Sequence, residues 1–444
     1  MLTNKFTNTK RNFIMSTVGL ITEYNPFHMG HEYHIKKAKE LTGADNVVVI
    51  MSGNYVQRGT PAFMDKHTRT GIALNHGADI VFELPVPFSC SSAELFAISA
   101  VTLLDKMGII DYICFGCECD NLKLLNDISL VLADAKNDST HKLNSIIKEF
   151  LKCGESYASA RSLALCAYFE ECCNNTDVAA IKDIISQPNN ILAIEYLKSL
   201  KLIGSHIKPV PLKRTAASYH DNAENDFMYS ASSVRNIIFD TLSGSSGNNS
   251  VRRLSSFDSI YKEALYKTFP ISEEDFSLIL GEKLLSYMAS GANLTDFTGV
   301  DSQLANRINN VLDSRPFTGW KTFAETVKTK NIAYTAVSRA LLSLLLGIKK
   351  SSLEEYLSNN IVSYVRLLGF KPSASPLLKQ IKENGMLTII GQLSEIKSSS
   401  LNDTDRKLLS HSIYCDELYN TVVRTKYHTD IPGEYRRKIT VYLT

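Results

Sequence analysis

The sequence predicts an α/β protein: a Rossmann-like parallel sheet with a helical insertion, followed by a mainly helical C-terminal part. Three observations predict it. Residues 17–120 alternate apolar, β-branched runs with amphipathic stretches, which is the βαβ signature of a parallel sheet. The strand-like runs are nearly continuous in hydrophobics, as strands covered on both faces require. From about residue 121 onward helical periodicity dominates, interrupted by the polar stretch Leu242-Ser-Gly-Ser-Ser-Gly-Asn-Asn-Ser250, which reads as a linker.

In order, Thr17–Glu23, Asn46–Met51, Asp79–Leu84 and Ile109–Gly116 read as strands, because each is short, apolar and β-branched. Glu32–Leu41, Asp65–Asn75 and Ser91–Met107 read as the helices between them. Leu122–Ala135, Thr140–Leu151, Tyr157–Glu171 and Asn190–Leu200 form the helical insertion at about 121–200, after which His206–Leu212 restores a strand and Tyr229–Asp240 a helix. Past a linker at 242–255, Glu273–Leu280, Ser302–Asp313 and Ala333–Leu346 are helical, with β-like runs at Ile361–Leu368 and Leu387–Gly391. The expected division is therefore 15–241, with its insertion, and 256–444. Residues 1–14 carry Lys5, Lys10 and Arg11 but no apolar segment of a signal peptide. They are expected to be a disordered extension or a misplaced start, with Met15 as the real beginning.

A chain of 444 residues that is 44% hydrophobic can bury a large core, and its length favours two or three domains. The net charge of +2 excludes a global field for nucleic acid or anionic membrane, so any basic surface is local. No apolar run of about 18 residues is present, which argues against a membrane span. Nine cysteines without disulfide-framework spacing fit a reducing, cytoplasmic setting.

The chemistry concentrates at His28-Met29-Gly30-His31, reached directly from the first strand. With 10 histidines and 22 glycines in the chain, an H-x-G-H string arises by chance in about one such chain in a hundred. In a loop that opens a helix, imidazoles donate to phosphate oxygens, the helix N-terminus adds unpaired N–H groups, and glycine permits close approach. Such a site suits the charge that develops when a nucleophile attacks an α-phosphorus and diphosphate leaves. His28, His31 and His34 repeat at a spacing of three, but His28 precedes the helix, so a shared metal-binding face is not favoured. A second element, Tyr229-Ser-Ala-Ser-Ser-Val-Arg235, offers hydroxyls, amides and a guanidinium fork to phosphate. Cys114, Cys117 and Cys119 lack a second pair at metal-site spacing and read as structural thiols. No resident metal is expected.

The two phosphate elements together resemble the H-x-G-H nucleotidyltransferase superfamily, whose second motif reads I-S-S-T-x-I-R. Here Ser230, Ala231, Ser232, Val234 and Arg235 occupy the corresponding places. The blocks at 23–31 (EYNPFHMGH), 51–62 (MSGNYVQRGTPA), 77–85 (GADIVFELP), 115–118 (FGCE) and 188–196 (PNNILAIEY) resemble the bacterial tRNA(Met) cytidine acetate ligase family. That resemblance implies an ATP-dependent ligase that makes acetyl-adenylate and acetylates the wobble cytidine in the anticodon of elongator tRNA(Met). It implies His28, His31, Ser232 and Arg235 as the catalytic phosphate-bearing residues. The ATP site it implies is Ile21, Thr22, Glu23, Tyr24, Asn25, Pro26, Phe27, His28, Met29, Gly30, His31, Glu32, Tyr33 and His34, with Gly116, Asn189 and Arg214. ATP would enter with Mg²⁺, and acetate and tRNA would be the other partners.

Asn54, Gln57 and Arg58, in a Gly-bounded loop at a strand end, are candidate contacts to acetate, phosphate or cytidine. Arg436, Arg437 and Lys438, between Tyr435 and Tyr442, are candidate RNA contacts, as are the shorter clusters Arg252-Arg253 and Lys349-Lys350. Glu23 is a candidate general base, with Mg²⁺ binding as its alternative. Two rival readings stay open on the residues alone: a small-molecule adenylyltransferase, and a nucleotide- or RNA-binding module without chemistry.

Overall fold

The computed structural model describes residues 15–119, 121–173, 177–214, 231–242, 268–359, 361–398 and 401–443. The extension 1–14, Tyr229 and Ser230 of the second motif, Arg252-Arg253 and the linker beyond Leu242 lie outside the described residues.

The chain opens as β1 (Thr17–Thr22), α1 (Met29–Thr42), β2 (Asn46–Ser52), a small hairpin β3–β4 (Tyr55–Val56 and Thr60–Pro61), α2 (Lys66–Asn75), β5 (Ile80–Leu84), α3 (Val86–Ser89), α4 (Ala93–Lys106) and β6 (Tyr112–Cys117). The insertion follows as α5 (Leu122–Asn137), α6 (Lys142–Lys152), α7 (Tyr157–Cys172), α8 (Val178–Ser186) and α9 (Pro188–Leu202), before β7 (Lys208–Lys213) and α10 (Ala231–Leu242). β5, β2, β1, β6 and β7 lie side by side in that order, all parallel. The strand order reverses at β1, which pairs β2 on one side and β6 on the other. Ligands of open α/β sheets bind at the carboxyl edge beside such a switch point.

The continuous hydrophobicity of β2 has a direct cause. Val47, Val49 and Met51 pack beneath α1 and α2, whereas Val48 and Ile50 pack against α4 on the other face. Both faces are dry, so every position is apolar.

The C-terminal part contains α11 (Ser277–Ser290), α12 (Ser302–Ser314), α13 (Trp320–Val327), α14 (Tyr334–Leu346) and α15 (Lys350–Ser358), then β8 (Tyr364–Phe370), α16 (Ser375–Asn384), β9 (Thr388–Ile390), α17 (Asp403–Tyr427) and β10 (Thr440–Val441). It is mainly helical, as the periodicity predicts. It also returns to the first sheet, which the sequence pattern does not foretell: β8 pairs antiparallel with β5, and β9 and β10 flank β8. The 25-residue α17 spans about 37 Å at the helical rise. Leu408, Leu409 and Ile413 enter the sheet core, and Cys415, Tyr419, Val422 and Val423 enter the helical core around Trp320 and Leu341. Tyr55, Val86 and Cys90 join that second core, so the helices roof the carboxyl ends of β2 and β5.

Candidate active site

The loop from β1 to α1 carries the site, and its own main chain orients the two histidines. His28 is the N-cap of α1, with extended backbone at φ −148°. Its Nδ1 accepts the Gly30 N–H at 3.1 Å, while the His31 Nδ1 accepts the His28 N–H at 3.2 Å. This reciprocal cap uses imidazoles where Ser and Glu usually serve. In the neutral rings both protons then sit on Nε2, so each ring keeps one N–H donor for a ligand. The rings stack with centroids 3.7 Å apart, and His31 packs on Tyr24 and Phe27.

Electrostatics keep these rings neutral. Burial, with Arg214 adding to it, pushes the His28 pKa down to about 4. Burial and the neighbouring His28, His34 and Arg214 hold His31 well below the usual histidine range. Burial and Arg214 likewise push His34 down to about 4. Among the described residues Arg214 has no carboxylate within ion-pair distance, so the unprotonated rings and this cation leave an electropositive region that suits an anion.

Gly116, Arg214 and Asn189 converge on the same edge. The Arg214 chain lies across Gly116, so that a Cβ there would fall 3.2 Å from Arg214 Cδ. The Arg214 N–H donates to the Cys117 carbonyl at 2.7 Å. Asn189 Nδ2 donates to Glu118 Oε1 at 2.5 Å, and Glu118 Oε2 accepts the Asn190 N–H at 2.8 Å. The Asn190 side chain returns the favour by accepting the Glu118 and Cys119 N–H groups at 2.8 and 2.9 Å. Glu118 thus caps α9 and seats Asn189, a role concealed in the FGCE block because it acts across 71 residues. Cys114 and Cys117 are buried, and burial pushes the Cys114 thiol up to about 12. Among the described residues no group of three or more His, Cys, Asp or Glu side chains could hold a metal ion.

The second motif reaches the first. Arg235 Nη1 donates to the Asn25 carbonyl and Nη2 to Ser232 Oγ, the latter at 3.1 Å. Val234, Ile237 and Ile238 pack α10 onto Phe63 and Met64. Glu23, at the end of β1, accepts the Gln57 N–H at 2.8 Å. Enclosure raises the Glu23 pKa, opposed by that hydrogen bond and by Arg58, Arg69 and Arg235.

The substrate loop divides. Gln57 meets Glu23 through its main chain and Arg58 is exposed, but Asn54 does not face the site. Its amide is buried, donating to Asp416 Oδ1 at 2.9 Å and accepting the Lys66 N–H at 2.9 Å. The C-terminal basic cluster also divides: Arg436 and Lys438 are exposed, whereas Arg437 is half-buried and acts on Asp65.

One residue that the sequence reading passed over is central to this geometry. Arg69 is fully buried in α2 and donates to the main-chain carbonyls of Glu23 (2.6 Å), Ser52 (3.0 Å), Met64 (3.0 Å) and Gly53. It ties the ends of β1 and β2 into one rim. The signal was available: Lys66, Arg69 and Ala73 share one helical stripe, and a charge on an apolar stripe has to find partners inside.

The chain matches the HIGH Nucleotidyl Transferase family model over residues 15–431. It is 35% identical over 404 residues to the tRNA(Met) cytidine acetate ligase of Clostridium perfringens, covering 88% of this chain and 94% of that protein. It is 37% identical over 387 residues to the protein of the same name from Clostridium kluyveri, covering 85% and 90%. A crystal structure of Thermotoga maritima TmcAL bound with alpha-thio ATP aligns with TM-score 0.82 at 25% identity, over 96% of this chain and 99% of that one. The apo form aligns with TM-score 0.85 at 26% identity over the same shares. With its paired histidines at a switch point and its length shared almost in full with these proteins, the chain belongs to the HIGH nucleotidyl transferase family, among the tRNA(Met) cytidine acetate ligases.

Proposed function

We propose that this chain is a cytoplasmic tRNA(Met) cytidine acetate ligase. It condenses acetate with Mg-ATP to acetyl-adenylate and diphosphate, then transfers the acetyl group to the exocyclic amine of the wobble cytidine of elongator tRNA(Met). The observation that carries this reading is the His28–His31 cap, which spends both Nδ1 atoms on the main chain and keeps both Nε2 donors, in the same loop whose Asn25 carbonyl meets Arg235.

In the first step an acetate oxygen attacks the α-phosphorus, and the bond from that phosphorus to the bridging oxygen breaks. His28 and His31 donate to the phosphate oxygens, Arg214 neutralises them, and Gly116 lets the nucleoside approach the sheet edge. Positioning and charge stabilisation suffice, because acetate is already an anion and needs no activating base. Mg²⁺, entering as part of the Mg-ATP substrate, would supply further charge neutralisation. In the second step the amine nitrogen attacks the acetyl carbon, the bond to the adenylate oxygen breaks, and AMP leaves. The amine proton goes to a base, for which Glu23 is the placed carboxylate. Enclosure raises its pKa, which makes it a stronger proton acceptor than an exposed carboxylate.

The test supplies ¹³C-acetate, ATP and elongator tRNA(Met) to the purified chain and analyses the nucleosides by mass spectrometry. Labelled N4-acetylcytidine at the wobble position is expected. Adenylate formation without acetylcytidine would favour a small-molecule adenylyltransferase, and no turnover at all would favour a binding module.

A further inference from the structure

Arg58 and Arg339 stand on either side of one backbone contact. Gly59 has φ +79°, and a Cβ there would fall 2.4 Å from the Arg339 nitrogen, so only glycine lets the 52–59 loop lie directly on α14. Ser338 Oγ fastens the contact by donating to the Gly59 carbonyl at 2.9 Å. From this junction Arg58 emerges exposed and Arg339 half-buried. Neither guanidinium has a hydrogen bond or ion pair among the described residues. Other enclosed cations of this chain are satisfied: Lys66 by Glu83 and Asp416, Arg366 by Glu434, Lys198 by Glu195, and Arg69 by carbonyls. An enclosed guanidinium left unpaired carries a desolvation cost that an incoming anion would offset. Enclosure lowers the Arg339 pKa, and the Cys90 thiol, not a carboxylate, is the group that opposes this.

We propose that Arg339 and Arg58 form a phosphate-binding site for the backbone of the RNA acceptor, on the β2–β5 side of the nucleotide site. The proposal rests on the ligase reading given above. His28, Gly116 and Arg214 assign the β1–β6–β7 side of the edge to the nucleotide. An unpaired cytidine must therefore reach the α-phosphate from the opposite side, past the loop that carries Arg58. Acetate requires a single cation next to the α-phosphorus, whereas Arg339 stands behind that loop. Arg58 precedes Gly59 in the chain and the Arg339 main chain packs on it, so the two residues suit separate phosphates of one strand, each held in a planar fork.

The experiment measures acetyl transfer by the full chain and its Arg339→Ala and Arg339→Lys variants, at saturating ATP and acetate, with tRNA(Met) varied across a salt series. For Arg339→Ala the KM for tRNA should rise about ten-fold or more with kcat little changed, the size of one lost charged hydrogen bond. The slope of log affinity against log salt should shrink by about 0.7, one single-strand phosphate. Arg339→Lys, which keeps the charge without the fork, should fall between. Melting temperature and acetate-dependent exchange of diphosphate into ATP report the fold and the nucleotide side of each variant. Unchanged KM and slope in Arg339→Ala would overturn the site. So would a loss of exchange equal to the loss of transfer, which would make Arg339 a support for the loop. A wild-type chain that acetylates no tRNA fails the ligase reading itself, a result distinct from either.

Discussion

Two clusters of charged and titratable side chains share the carboxyl edge of one sheet, and they are built on opposite plans. Over β1, β6 and β7, the His28 and His31 rings spend Nδ1 on the backbone and keep Nε2 for a ligand, and among the described residues Arg214 has no carboxylate partner. Over β2, β5 and β8, beneath the loop that carries the exposed Arg58, a cluster of five charges is turned inward. Lys66 Nζ lies 2.8 Å from Glu83, bonds Asp416 and stands 3.4 Å from Glu434; Arg366 lies 3.2 Å from Asp416 and 2.5 Å from Glu434. All five side chains are nearly or fully inaccessible. The contrast teaches that at one sheet edge the binding region is the one with open hydrogen-bonding capacity. The saturated region instead clamps β5, β8, α2 and α17 together, which holds the rim in place.

The sharpest way to break the comparison is to unbalance the closed cluster. Lys66→Met leaves one arginine among three buried carboxylates, so urea denaturation should show a loss of about 3–5 kcal/mol. A loss below about 1 kcal/mol would mean that the cluster is not a clamp. The open cluster should respond the other way. His31→Ala should lower acetate-dependent diphosphate exchange about 10²- to 10³-fold. It should cost only about 1 kcal/mol of stability, the size of one lost cap, and leave tRNA affinity nearly intact.

A smaller effect comes from the surplus carboxylate. Lys66 and Arg366 supply two positive charges against Glu83, Asp416 and Glu434. Burial pushes the Asp416 pKa up to about 8, with Glu434 and Glu83 adding to it and Lys66 opposing, so the trio retains a proton at neutral pH. An unfolded aspartate releases its proton near pH 4. The folded state therefore binds more protons between about pH 4 and 8, and this group's contribution to stability declines as pH rises through that window. Asp416→Asn should lose that decline, so its stability should rise relative to wild type as pH goes from 5 to 8. Parallel stability curves would place the proton elsewhere. The smallest effect concerns the exposed rim. Arg436→Glu with Lys438→Glu should weaken tRNA binding less than about ten-fold and flatten its salt dependence. Arg437→Ala, by contrast, should act on stability through Asp65 and leave the salt slope alone.

Much of the open region was legible because its chemistry is local. His28 and His31 are three residues apart, and a strand-loop-helix context with an adjacent glycine is visible in ten residues. The parallel strands were equally legible, since burial on both faces writes itself as an uninterrupted apolar run. The closed region was not. Glu83, Arg366 and Asp416 meet from positions up to 333 residues apart, 416 minus 83, and no local pattern marks that meeting. The same reason hid the return of β8 to β5: a strand run records that it is buried, not against which neighbour. Asn54 looked like a ligand contact because it lies in a polar loop, yet its amide serves Asp416 and the Lys66 main chain. Arg69 and Glu118 escaped because both bind main-chain groups of distant segments.

The central claim is that the histidine loop performs acetate-dependent chemistry at the α-phosphate of ATP. Exchange of labelled diphosphate into ATP by the purified chain, with and without acetate and in the absence of tRNA, tests it most directly. The account predicts exchange that requires acetate, saturates with it, and is lost in His31→Ala. Exchange that ignores acetate but responds to a phosphorylated acceptor, or that persists in His31→Ala, would contradict it.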